Sequence, residues 1–129
     1  PAWFPPAPRR QAALALRPAC APGQRVFAPE DVGLYVNALT ACHAYLAHSF
    51  SPEVAQRRAV VGAFYGGLSP AQRAVVLDAL RVRHLVLPGD EGPVPSSWLG
   101  PQTPFRRLAV AGQGAGAMSV YSRAAPGER

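Results

Sequence analysis

Two carboxylates stand side by side at Asp90 and Glu91, inside the stretch VRHLVLPGDEGPVPSSW (residues 82–98). An apolar run delivers the chain to a Pro-Gly turn, a place where many enzymes hold a general acid and a general base. Such a pair needs a supporting cast: a nucleophile with an oriented base, or a metal. The chain has seven carboxylates, three His and no Lys. It contains no nucleophile elbow and no evident Ser, His and Asp arrangement. The expectation is therefore the solvated end of a strand, with no catalytic residue.

The other chemical candidates are tested by spacing. His43 and His48 are five apart, on opposite faces of a strand and about 140° apart on a helix, so no metal is expected between them. GQGAG (residues 112–116) resembles a nucleotide loop only superficially. A phosphate loop needs a helix directly after the glycines, and here a β-rich run follows, which predicts a hairpin turn and no cofactor. His84 lies in the most apolar strand and is expected to be a packed or hydrogen-bonded core residue. Cys20 and Cys42 have no metal-ligand spacing; they either pair or remain two buried thiols, and the compartment stays open.

A binding surface is the better prospect. Tyr45, His48 and Arg57 surround a turn and bring stacking, hydrogen bonding and charge, the means of holding a sugar-phosphate. Asp90, Glu91 and Trp98 belong to a long loop after a central strand, and ligands of open α/β sheets gather outside the carboxyl ends of strands. Trp98 offers a face on which a sugar can stack. The plainer alternative is that Tyr45 and Trp98 cap the core and His48 caps a turn.

Composition narrows the partners. All 13 basic residues are Arg and the formal charge is +6, but the arginines are scattered as pairs and singletons. No stripe interleaved with aromatics marks a nucleic-acid face, so no nucleic acid is expected. No run reaches the length of a membrane span, and no signal-peptide pattern opens the chain. The first residue is Pro1, which suggests a processed or excised piece.

The elements that position these residues follow from periodicity and punctuation. Residues 1–8 form a proline-rich tail and 9–19 a short helix. A strand is expected at 24–28, a helix from the acidic pair Glu30 and Asp31 to about Leu39, and a second strand at 42–48. Two helices then open on Ser-Pro, at Ser51 and at Ser69, the latter completed by Gln72 as a capping box. The strand at 83–88 should carry a core of Phe64, Leu77, Leu80 and Val86. Residues 105–112 and 117–123 form a hairpin, and 124–129 a tail. The order predicts one α/β domain over 9–123, a mixed sheet with a parallel core and a C-terminal antiparallel hairpin, flanked by helices in a Rossmann-like layered arrangement.

Taken in order, QRVFAP, EDVGLYVNALT, AYLAHSFSPE, AVVGAFYGG, SPAQRAVVLDALRVRHLVLPGDEG and FRRLAVAGQGAGAMSVYSR resemble the soluble C-terminal region of polytopic bacterial membrane glycosyltransferases of the GT-C class and related membrane proteins. The resemblance covers about residues 24–123. It implies an extracytoplasmic domain appended to a transmembrane parent, whose donor would be a polyprenyl-phosphate sugar. The catalytic loops of such parents have no counterpart here, so no catalytic residue carries over. The implied partners are the parent transmembrane domain and a lipid-phosphate or glycan. The competing reading is a stand-alone small α/β ligand-binding module or enzyme.

Overall fold

The computed structural model describes residues 7–47, 53–89, 99, 105–112 and 116–123. Helix α1 (Ala7–Leu16) runs into a 3-10 turn (Arg17–Ala19). Strand β1 (Arg25–Phe27), helix α2 (Glu30–Leu39) and strand β2 (His43–Ala44) follow, then helices α3 (Val54–Gly66) and α4 (Pro70–Ala79). Strands β3 (Val82–Pro88), β4 (Phe105–Ala111) and β5 (Met118–Arg123) complete the order. The five strands form one mixed sheet in the order β2-β1-β3-β5-β4. β1 is parallel to β2 and β3, and β5 is antiparallel to β3 and β4. This is the α/β architecture expected from the sequence.

The connections explain the layers. From β1 the chain crosses through α2 to β2 on one side, then returns through α3 and α4 to β3 on the other. Right-handed crossovers in opposite directions place their helices on opposite faces of the sheet. Two cores result. Val54, Val61, Phe64 and Leu77 of α3 and α4 pack on Phe27, Leu85, Leu87 and Tyr121. Ala12, Ala13, Leu16, Val32 and Val36 of α1 and α2 pack on Val26, Val86, Met118 and Val120.

Val86 thus corrects one expectation: it faces α1 and α2, away from Phe64 and Leu77. Alternation along a strand sends Leu85 and Leu87 one way and Val86 the other. Leu80 is only partly buried against the Phe64 cluster. An irregularity in β3 opposite Arg25 and Val26 lets Val82 and Leu85 share a face despite their odd separation.

The local devices behave as their residue types require. Ser69 accepts from the Gln72 N–H, and the Gln72 side chain accepts from the Ser69 N–H, the reciprocal capping box. Helix α3 ends at Gly66–Gly67; its Ser51-Pro52 opening lies outside the described residues. The second strand is shorter than expected, two residues rather than seven. Its outward N–H at Ala44 is taken by the Asn37 side chain at 2.9 Å, which blunts that edge of the sheet. β3 ends at Pro88. Gly89, with φ +99°, turns the chain away while its N–H donates to the Ala117 carbonyl and its own carbonyl accepts from the Ser119 hydroxyl, both at 2.7 Å.

Candidate functional site

Two of the six residues singled out as ligand-binding meet in the structure. Tyr45 leaves the carboxyl end of β2, and its N–H is held by the Val26 carbonyl at 2.8 Å. One turn into α3, Arg57 donates from Nη1 to the Tyr45 carbonyl at 2.7 Å and lays its guanidinium over the Tyr45 ring, 4.9 Å from the centroid. Arg25 approaches the same ring at 5.6 Å and is anchored by the Leu80 carbonyl at 2.9 Å. Tyr45 itself is buried, 7% exposed, with its ring stacked on Phe27, and the two guanidiniums beside it make a cation–π arrangement. It borders a cleft of about 190 Å³ lined in part by Asn37, Leu46, Glu53 and Arg57. Glu53 pairs with Arg57 at 3.3 Å, so an arriving anion competes with one carboxylate for that cation. His48, Asp90, Glu91 and Trp98 lie outside the described residues.

Beside this cleft, at the start of α2, a second and wider one of about 430 Å³ is lined by Glu30, Asp31, Leu34 and Arg58. Arg58 grips the Glu30 carboxylate through Nε at 2.9 Å and Nη2 at 2.7 Å, and Arg9 pairs with Asp31. These acids suit the positive end of the helix dipole, and each is matched by an arginine from another helix. The Tyr65 hydroxyl donates to the Val86 carbonyl at 2.7 Å; burial, with Asp31 adding, holds its pKa well above the ordinary tyrosine range. Both clefts lie at the carboxyl ends of parallel strands, where open α/β sheets place ligands.

At the amino ends of the same strands a covalent cross-link lies beside a buried histidine. Cys20 and Cys42 form a disulfide. In the chain-entropy picture, closing a loop of this size contributes about 3 kcal/mol. Next to it His84, 1% exposed, brings Nδ1 to 2.5 Å from the Ser122 hydroxyl and Nε2 to 2.8 Å from Gln24 Oε1. Gln24 Oε1 also accepts from the Ala21 N–H at 2.9 Å, which identifies it as an acceptor. His84 Nε2 therefore carries the proton, and Nδ1 accepts from Ser122. The buried, hydrogen-bonded His84 matches the sequence expectation, but its partners, 60 and 38 residues away, had no local signal.

Burial, with the neighbouring Arg83 cation adding in the same direction, lowers the His84 pKa to about 4. The unfolded chain protonates near the ordinary value of about 6.5 while the fold resists. The stability of the neutral form is complete above that value and is lost as pH falls toward 4. Chemical denaturation should show a loss of roughly 3 kcal/mol between neutral pH and pH 4 from this residue. A His84→Gln variant should lack that component; an unchanged pH slope in the variant would assign the acid sensitivity elsewhere.

Comparison of the chain with protein-family models, with curated proteins and with solved structures gives no match.

Proposed function

We propose that the chain is a non-catalytic extracytoplasmic accessory domain whose cleft at Tyr45 and Arg57 holds an anionic group. The phosphate of a lipid-linked sugar is the class that the glycosyltransferase resemblance implies, with the parent transmembrane domain as the partner. The observation that carries the reading is the Cys20–Cys42 disulfide, because such bonds persist outside the reducing cytosol. The cleft supplies the recognising chemistry: two guanidiniums beside the buried Tyr45 ring at a strand end. His84 is no candidate base, since it is buried and both ring nitrogens are engaged.

The wider cleft at Glu30, Asp31 and Arg58 favours the second reading, a stand-alone ligand-binding module or enzyme with its site at the start of α2. Titration of ¹⁵N-labelled protein with a short polyprenyl phosphate separates the two. Selective shifts are expected at Tyr45, Arg25 and the Arg57 Nε–H. Affinity should fall about tenfold in Arg57→Gln, the loss of one charge-assisted hydrogen bond. Shifts centred on Glu30 and Arg58 would favour the second reading; none at millimolar ligand would leave the domain a scaffold. The purified chain should show no glycosyl transfer or hydrolysis. Turnover abolished by Asp90→Asn with Glu91→Gln would overturn the non-catalytic reading.

A further inference from the structure

The cluster at the amino ends of the parallel strands has a chemistry the disulfide conceals. One ligand atom each from Cys20, Cys42 and His84 lies within 4.8 Å of the others. In a tetrahedral zinc site, bonds of about 2.0–2.3 Å place ligand atoms roughly 3.3–3.8 Å apart. These three need only small side-chain movements to reach that geometry. Two thiolates and an imidazole are the soft and borderline donors that zinc(II) prefers.

The hydrogen bonds that would orient the imidazole are already built. A metal-ligating imidazole ordinarily keeps its other nitrogen in a hydrogen bond that fixes the ring. His84 has two such partners, Ser122 and Gln24. Whichever nitrogen is given to the ion exchanges a neutral partner for it, and the other keeps its own. Three strands contribute the surroundings: Cys42 enters β2, His84 lies in β3 and Ser122 in β5, so the sheet holds the donors in place. Access is asymmetric. Cys42 is 2% exposed, whereas Cys20 is half-buried, so an external thiolate meets the Cys20 sulfur first.

We propose that reduction of the Cys20–Cys42 disulfide turns this cluster into a three-ligand zinc(II) site, completed by a solvent water on the Cys20 side. An external dithiol attacks Cys20 Sγ, the sulfur–sulfur bond breaks, and Cys42 leaves as thiolate. The dithiol's second sulfur then displaces Cys20 and closes the reductant's own disulfide, so two electrons pass to the protein. Zinc binding keeps both protein sulfurs as thiolates, and their two protons go to solvent. Disulfide and metal are mutually exclusive occupants of one place. The inference does not rest on the ligand reading, whose cleft lies at the opposite ends of the strands.

Cobalt(II) is the probe. Protein reduced anaerobically with a dithiol and freed of it should bind one Co²⁺, with a thiolate-to-cobalt charge-transfer band that Zn²⁺ abolishes. Oxidised protein should show no such band. Cys42→Ser should weaken the band, and His84→Ala should keep it while binding more than about tenfold less tightly, at least the loss seen for supporting residues. Reduced, folded protein with no band, or with unchanged affinity in folded His84→Ala, would overturn the proposal. Should reduction unfold the chain, recovery of the native circular dichroism on adding Zn²⁺ supports the site, and failure to recover overturns it. Should His84→Ala not fold, zinc K-edge X-ray absorption of the loaded wild type decides. Two sulfurs with imidazole scattering support the assignment, and sulfur with oxygen alone refutes it.

Discussion

Replacing Phe64 with Ala is expected to remove about 3–5 kcal/mol of stability, the range for deleting a large aromatic side chain from a core. Phe64 is fully buried, and its ring packs 4.5 Å from Phe27 and 5.1 Å from Tyr65, centroid to centroid. The cost depends on how far the surroundings can collapse into the space, and here they are pinned. Arg73 of α4 donates to the Phe64 carbonyl at 2.8 Å, and the Tyr65 hydroxyl ties the next residue of α3 to β3 at Val86. Phe27 is held by strand pairing from below. Urea denaturation should show a lower midpoint at unchanged slope. A loss below about 1 kcal/mol would mean that α3 does not seat Phe64 against the sheet.

Gly33→Ala should be comparably severe, although it adds a single methyl. A Cβ at Gly33 would stand 2.0 Å from the Leu46 carbonyl oxygen and 3.2 Å from the Ala44 Cβ. The first contact is with backbone, so no rotamer change relieves it, and segment 44–46 is held from three directions. Ala44 N–H is bound by Asn37, Tyr45 N–H by Val26, and the Tyr45 carbonyl by Arg57. Overpacking costs typically 1–3 kcal/mol and sometimes more; here about 3 kcal/mol or beyond is expected, measured by thermal or chemical unfolding. Any variant protein that still folds must move α2 away from segment 44–46, which displaces Tyr45. A stability change under about 1 kcal/mol would place α2 farther from the Leu46 carbonyl than the structure has it.

Neither effect is equally visible in the linear chain. Val54, Val61 and Phe64 follow helical spacing, so their common buried face was legible before any coordinates. Gly33 was visible only as a glycine in a helix; that it marks a point of close approach to Leu46 is a fact about two segments.

Local chemistry determined the elements of this protein. Ser69 and Gln72 specify a helix start because each satisfies the other's backbone N–H, and Gly66–Gly67 ends α3. The apolar run before Pro88 specifies a strand, and the alternation of crossovers and hairpin implied a mixed sheet between helices. Those are short-range effects, complete within a few residues. Tertiary structure alone decided which faces the strand residues present. Val86 went to the α1 and α2 side, because one irregularity in β3 and the opposite directions of two crossovers set that choice. The same long-range geometry joined Cys20 to Cys42, brought His84 to Gln24 and Ser122, and set Arg25 beside the Tyr45 ring. Sequence spacing carries no record of such contacts, because the sheet, not the local chain, brings these side chains together.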